Sequence, residues 1–300
     1  MRGRQFPPWV ALIVIACPAK KTPQNVIEAD ASANSTDVDA VVARLSQTLA
    51  PSERRSLLRR LATLDRARAV PLLRRAVGDE SPEVRLGVAR LIGQMRVNEA
   101  AADLAARLRV ETIPIVNAEI GTALALLRDR AVATGLVDLV DVGDADRRTA
   151  AARVVGVTLG SGAVSDSTIE QLTVALVSAE PATRRDAARV LKELRDVRAR
   201  VPLERRLLSE TDEMTIAVIL NALAAIGDRG AVFPITKFVG SLRTRGAIPP
   251  VHFVWQRAFA ALMALGGDDA DRFLREASRW PEVRMTKELA EKLRPWTNRR

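Results

Sequence analysis

The chain has 300 residues, of which 48% are hydrophobic and only 3% aromatic, and its formal net charge is +10. The apolar fraction is enough for a sizeable core and excludes a chain that is disordered over most of its length, while the low aromatic content favours close-packed helices over β-sheet. A single Cys and a single His exclude an internal disulfide framework, a Cys-based metal site and a His-rich metal site, so we expect no metal and no cofactor.

The N-terminal segment is a short apolar run over residues 6–16, preceded by MRGR and followed by Cys17. The run is too short for a membrane-spanning helix, which needs ~20 residues, and a positive start before a short apolar stretch is typical of a secretory signal. Val14-Ile15-Ala16-Cys17 resembles the lipobox of bacterial lipoproteins, whose cysteine becomes the lipidated first residue after cleavage. The resemblance implies a signal peptide over 1–16, lipidation of Cys17 and a membrane-anchored protein of the bacterial cell envelope, on the periplasmic or outer surface. An uncleaved or non-lipidated signal and an ordinary buried segment are the alternatives.

Residues 18–35 are polar, small and without periodicity, which indicates a flexible linker. As a coil this linker spans about 24 Å on average. The predicted organisation is therefore a lipidated cysteine and linker over 17–35 and one folded domain over 36–300.

The folded domain repeats itself. A ten-residue pattern recurs at intervals of 29 to 39 residues, and its copies begin at residues 53, 84, 116, 147, 183, 215, 254 and 283. In the second copy Val84, Val88, Leu91 and Ile92 fall at helical spacing, and a second apolar stretch follows each copy before a break rich in Gly, Pro, Asp or Ser. Each unit is predicted to be a helical hairpin that buries its apolar face by stacking on its neighbours.

Two of these units carry a resemblance to a known family. The stretches DESPEVRLGVARLIGQM (79–95) and SAEPATRRDAARVLKEL (178–194) resemble HEAT repeats of the short, phycobilin lyase-related type, and the resemblance extends over about residues 36–295. It implies an all-α fold, an α-solenoid of about seven to eight helical hairpins, that binds partners. The lyase activity of some relatives is not implied, because it is not a property of the repeat.

An arginine follows the first pattern position in several copies, and we interpret it as structural. In this repeat type that arginine commonly pairs with an acidic residue in a neighbouring loop, here Asp79, Asp144 or Asp228, while a ligand contact is the alternative. The arginines concerned are Arg54, Arg85, Arg148, Arg184 and Arg284.

The first repeat is denser in charge, with eight arginines and two acidic residues between Ser52 and Arg75. These arginines are either the solvated end of the solenoid or a contact for an anionic surface or partner, to which each charge adds ~1 kcal/mol at an anionic membrane. The candidate contacts are Arg54, Arg55, Arg59, Arg60, Arg74 and Arg75.

Two breaks, 157–168 and 240–255, are long, and long loops on a repetitive scaffold often carry function. The second break holds a candidate binding loop with Arg243, Arg245 and His252, although a lone histidine is more often structural, and Trp255 sits at a core-like position. No catalytic signature stands out, so no catalytic residue is assigned and no enzyme is expected.

The sequence therefore predicts a non-enzymatic protein-binding scaffold or adaptor with an acidic partner. The predicted surface is formed by the second helices and uses residues such as Arg74, Arg107, Arg206, Lys237 and Arg275. A basic HEAT-like nucleic-acid-binding protein is the alternative, and it requires that the N-terminal segment is not an export signal.

Overall fold

The computed structural model of the protein describes residue 61 and residues 65–244 and 252–297. Within these ranges the regular structure is entirely helical, which confirms the predicted all-α solenoid. Some of the predicted functional residues lie outside the described residues: Cys17, Arg54, Arg55, Arg59, Arg60 and Arg245.

The helices follow one another with short connections. In chain order they are α1 Arg66–Ala76, α2 Pro82–Gln94, α3 Ala101–Val110, α4 Pro114–Leu127, α5 Arg130–Gly135, α6 Val137–Val142, α7 Ala145–Thr158, α8 Asp166–Ala175, α9 Pro181–Leu194, α10 Arg200–Ser209, α11 Glu213–Ile226, α12 Val232–Thr244, α13 His252–Leu265, α14 Asp268–Ala277, α15 Pro281–Met285 and α16 Lys287–Thr297.

The acidic and proline residues of the breaks start these helices, as the sequence predicts. The side chains of Asp144 and Asp212 accept hydrogen bonds from backbone N–H groups of the first turns of α7 and α11, which satisfies donors that have no partner within the helix. Pro82 and Pro181 occupy the first positions of α2 and α9, where the missing N–H costs nothing.

The helices form two rows. The first-helix row is α2, α4, α7, α9, α11 and α13, and each of these helices contacts the next. The second-helix row contains α1, α3, α5 with α6, α8, α10 and α12, each of which contacts the first-row helix that follows it, and α14, which contacts α13. Ile92 of α2 and Leu223 of α11 are fully buried, so the stacking of hairpins supplies the core that no single hairpin could form.

Small residues allow the helices of the first row to approach closely. A Cβ atom added to Gly156 of α7 would lie 2.1 Å from the carbonyl oxygen of Glu193 in α9, and one added to Gly121 of α4 would lie 2.9 Å from the Cα atom of Ala150 in α7. Both distances are far below van der Waals contact, so any larger residue would push the helices apart.

A longer repeat is superimposed on the hairpin repeat. Helices α2, α3 and α4 begin at residues 82, 101 and 114, and helices α9, α10 and α11 begin at 181, 200 and 213, so every start is displaced by 99 residues. The short 3₁₀ turns Asn98–Ala100 and Val197–Ala199 obey the same displacement. The solenoid is thus built partly from two copies of a larger block, which the hairpin period of the sequence conceals because 99 is close to three such periods.

Candidate functional site

Buried arginine–glutamate clamps hold the hairpins together. Arg85 donates from Nε and Nη2 to the two carboxylate oxygens of Glu111, at 2.7 and 2.9 Å, and from Nη1 to the carbonyl oxygens of Asp79 and Glu80. Its side chain is 7% exposed and that of Glu111 is fully buried. Burial by itself would raise the pKa of Glu111, but the hydrogen bonds from Arg85 and Arg107 and from the backbone outweigh it and lower that pKa to about 2.

The same clamp recurs 99 residues later. Arg184 donates to both carboxylate oxygens of Glu210, at 2.7 and 2.8 Å, and to the carbonyl oxygens of Ser178 and Ala179. In both clamps the guanidinium ties the loop before a first helix to the end of the following second helix. These arginines are therefore structural, as the sequence interpretation held.

An acidic partner is confirmed for Arg85 and Arg184, but it is a glutamate and not one of the predicted aspartates, Asp79, Asp144 and Asp228. Asp79 offers Arg85 its backbone oxygen, and the carboxylate comes from the end of the second helix. Arg148 donates to the carbonyl oxygen of Val140 instead of an aspartate. Glu111 also accepts hydrogen bonds from the backbone N–H groups of the next two residues, Thr112 and Ile113. These bonds hold its carboxylate at the end of the second helix, where Arg85 meets it.

Several arginines that the sequence places on the second-helix surface are held in ion pairs. Arg74 lies 2.6 Å from Asp103, and Arg107 and Arg206 lie 2.9 and 2.8 Å from the clamp glutamates. Arg75 is exposed on α1. Much of the positive charge of this row is thus neutralised within the protein.

The two long breaks differ in what the structure shows of them. The break over 157–168 is fastened by Asp196, which accepts from the N–H of Gly162 and from Arg198, while Arg198 also donates to the carbonyl oxygen of Val164. Hydrogen bonds from Arg198 lower the pKa of Asp196 to about 2, against the effect of burial.

In the break over 240–255, Arg243 lies near the end of α12 and stacks on the ring of Trp280, with Cζ 4.4 Å from the ring centroid. His252 is the first residue of α13. Trp255 is buried, as predicted, and its ring packs edge-on against those of Phe259 and Trp280.

A different set of arginines shares one groove. The groove has a volume of about 350 Å³ and takes one arginine from each of four consecutive first-row helices or from the first two residues after the helix. We call it the arginine groove, and its lining residues are Arg96, Thr122, Ala125, Leu126, Arg128, Arg153, Val157, Glu193 and Arg195.

Three of these arginines adopt an unusual backbone conformation. Arg96, Arg128 and Arg195 have φ angles of 53°, 55° and 53°, and they are the only non-glycine residues with positive φ in the described ranges. At the corresponding ends of the other first-row helices glycine takes this place, at Gly160, Gly227 and Gly266. Glycine adopts the left-handed region freely, whereas another L-residue is destabilised there by about 1 kcal/mol or more.

The fourth arginine is neutralised within the groove. Arg153 donates from Nε and Nη2 to the two carboxylate oxygens of Glu193, each at 3.1 Å, and from Nη1 to Oγ1 of Thr122 at 2.7 Å. Burial raises the pKa of Glu193, but Arg153 and Lys192 outweigh this effect and lower it. The groove therefore presents three exposed guanidinium groups around one internal ion pair.

Arg96, Arg128 and Arg195 are each exposed to solvent, although Arg96 also donates to the carbonyl oxygen of Leu126. Cations are favoured near helix C-termini, because the last carbonyl groups carry partial negative charge. The three exposed guanidinium groups can bind carboxylate or phosphate groups, because the planar guanidinium matches the geometry of these anions. This site is not among the sites predicted from the sequence, although a basic residue at the place of a helix-ending glycine is a signal that could have revealed it.

No group of three or more His, Cys, Asp or Glu residues suited to a metal ion occurs in the part of the chain that the structure describes.

None of the described helices is both long enough and apolar enough to span a membrane.

Comparison with known proteins finds a family similarity over the first part of the chain. A model of HEAT repeats matches residues 38–125, which agrees with the resemblance of the first complete repeats. No match was found among curated proteins.

Several solved structures resemble the chain at low identity. Three of them are the complex of CpcE and CpcF of phycocyanin lyase from Nostoc sp. (20% identity, 92% of this chain and 98% of that chain, TM-score 0.48), human deoxyhypusine hydroxylase in complex with glycerol (20%, 87% and 96%, TM-score 0.38) and an engineered protein (21%, 85% and 77%, TM-score 0.42). At these TM-scores the likenesses carry no functional information about this chain.

Proposed function

We propose that the protein is a non-enzymatic scaffold whose solenoid binds an acidic segment of a protein partner in the arginine groove. The observation that supports this proposal most strongly is the occurrence of Arg96, Arg128 and Arg195 at positive φ along one groove. A conformation that destabilises the fold at three helix ends calls for a compensating benefit, and such strain is concentrated at functional positions.

Protein is favoured over nucleic acid as the ligand by the lining of the groove. None of the residues that line it is aromatic, whereas single-stranded nucleic acid is usually held by aromatic side chains on which the bases stack. Because Arg153 is neutralised by Glu193, a continuous phosphate backbone would also cross a stretch of the groove that offers it no free cation, whereas a peptide can place an uncharged residue there. The nucleic-acid alternative is an outcome of the binding test below.

The binding test uses the full chain and a fluorescent hexaglutamate peptide, with an oligothymidylate of equal charge as the second probe. The groove variant is Arg96→Gln, Arg128→Gln and Arg195→Gln together. The matched control removes three exposed arginines elsewhere: Arg205→Gln, Arg279→Gln and Arg294→Gln.

We expect the groove variant to bind hexaglutamate about 10- to 100-fold more weakly, because each exposed ion pair contributes about 0.5–1 kcal/mol. The control variant should bind as the unmodified chain does, within about threefold. An equal loss of hexaglutamate affinity in both variants would show that binding depends only on net charge and would contradict the groove as the site. If the oligothymidylate binds more tightly than hexaglutamate and loses affinity in the groove variant, the nucleic-acid function is favoured.

We further propose that the scaffold is anchored to the bacterial cell envelope through Cys17. The support is the lipobox-like Val14-Ile15-Ala16-Cys17 after a positively charged start and a short apolar run. Cys17→Ser should abolish labelling by a fatty-acid probe and release the protein from the membrane fraction. Unchanged processing and membrane association in this variant would refute the anchor.

A further inference from the structure

We infer that the ligand of the arginine groove is an extended polypeptide whose acidic residues recur at multiples of three positions, with one such position left uncharged. The inference rests on the proposed function and adds a register to it. It follows from the spacing of the helices and from whether each arginine of the groove is exposed or already bound by a carboxylate of the protein.

The spacing of the arginines follows from the row of helices that carries them. Helices α2, α4, α7 and α9 are consecutive neighbours, and packed helices lie 8–10 Å apart. An extended chain advances 3.2–3.4 Å per residue, so three residues cover about 10 Å. A strand that crosses the ends of these helices therefore meets a new helix at about every third residue.

The exposure and pairing of each arginine determine which positions of the ligand are expected to be acidic. Arg96 follows α2, Arg128 follows α4 and Arg195 follows α9, and all three are exposed. Helix α7 offers Arg153, whose guanidinium is already bound by Glu193 and Thr122. An acidic ligand residue opposite α7 would find no free guanidinium there, because Arg153 and Glu193 neutralise each other, so this position favours an uncharged residue.

The resulting pattern is acidic at positions 1, 4 and 10 and uncharged at position 7, or acidic at 1, 7 and 10 if the strand runs in the opposite direction. The residues between these positions lie over the apolar part of the groove, where Leu126 is 39% exposed and Val157 is half-buried. The intervening ligand residues are therefore expected to be small or apolar, not charged.

The test compares peptides of identical composition and charge on the full chain. EGSEGSSGSE and its reverse, ESGSSGESGE, carry the two spaced patterns, and EEEGSSGSGS carries the same residues with the charges clustered. We expect one of the two spaced peptides to bind about tenfold more tightly than the clustered peptide and than the opposite spaced peptide.

A pairwise exchange then tests the register itself. For the tighter peptide, replacement of one terminal Glu by Gln should weaken binding to the unmodified chain. One of the variants Arg96→Gln and Arg195→Gln lacks the arginine that this Glu faces, and in that variant the replacement should have no further effect on affinity. In the other variant the replacement should weaken binding as much as it does in the unmodified chain.

The outcomes separate this inference from the proposed function. Equal binding of the spaced and clustered peptides, with loss in the groove variant, would overturn the register and leave the acidic-segment function standing. Failure of hexaglutamate and of all three peptides to bind would overturn both. A fourth peptide with glutamate at the uncharged position of the tighter spaced peptide, EGSEGSEGSE or its reverse ESGESGESGE, should gain nothing over that peptide, and a tenfold gain would contradict the assignment of Arg153 to Glu193.

Discussion

Replacing the strained arginines by glycine should make the protein more stable while it removes the binding site. The perturbation is Arg128→Gly with Arg195→Gly, at the ends of α4 and α9, where φ is 55° and 53°. These two ends are separated by α7, so their effects on the free energy of unfolding should add.

The magnitude follows from two opposing effects at each position. Glycine removes about 1 kcal/mol of left-handed strain. It also removes a cation near a helix C-terminus, which contributes about 0.3–0.5 kcal/mol when the charge is exposed. The net gain is about 0.5 kcal/mol for each replacement and about 1 kcal/mol for the pair, which raises Tm by about 2–4 °C. Arg96→Gly is expected to be neutral, because it also removes the hydrogen bond to the carbonyl oxygen of Leu126.

The assay is thermal unfolding followed by circular dichroism at 222 nm. The matched control is Arg205→Gly, in which the same exchange occurs within the right-handed helix α10 at an exposed position. Glycine costs about 0.8 kcal/mol there, so Tm should fall. A fall of similar size for Arg128→Gly with Arg195→Gly would show that these arginines stabilise the helix ends, and it would refute the reasoning from strain to function.

Three further predictions concern the scaffold. Gly156→Ala should cost several kcal/mol of the free energy of unfolding, because its Cβ would overlap the backbone of α9; a Tm within 2 °C of the unmodified chain would contradict the close approach. Arg85→Met should cost about 3 kcal/mol in chemical denaturation, because the buried Glu111 loses its bidentate partner and keeps only Arg107 and two backbone N–H groups; a loss below about 1 kcal/mol would contradict the clamp. Glu111 and Asp196 have pKa values lowered to about 2, below the values of about 4 in the unfolded chain. The stability that these carboxylates contribute is therefore complete above about pH 4.5 and is lost as the pH falls through 2. A free energy of unfolding that stays constant from pH 5 to pH 2 would contradict these pairings.

The fold follows from the sequence because it depends on periodicity. The apolar spacing of Val84, Val88 and Ile92 requires one buried helix face, and the structure buries all three. Asp and Pro at the breaks mark helix starts by local chemistry, which a single sequence displays directly.

The proposed binding site is less evident in the sequence than the fold. A basic residue at the place of a helix-ending glycine is a local signal at Arg96, Arg128 and Arg195, but a single sequence does not show that these residues of separate repeats line one groove with Arg153. The clamps show the same limit, since Glu111 reaches Arg85 only after the second helix has turned back along the first. An ion pair between repeats depends on where a helix ends, and sequence patterns locate helix ends less reliably than helices.

Photo-crosslinking tests the central claim most directly, because it shows where an acidic segment binds. The probe is the tighter spaced peptide with a photoreactive group at its uncharged position, the seventh of EGSEGSSGSE or the fourth of ESGSSGESGE, irradiated on the full chain and mapped by mass spectrometry. If the chain is a scaffold for an acidic segment, the crosslinks should fall on the lining of the arginine groove, around Thr122, Val157 and Glu193, and excess hexaglutamate should abolish them. Crosslinks that concentrate instead on the second-helix row, or that persist in the variant lacking Arg96, Arg128 and Arg195, would contradict the assignment of function to this groove.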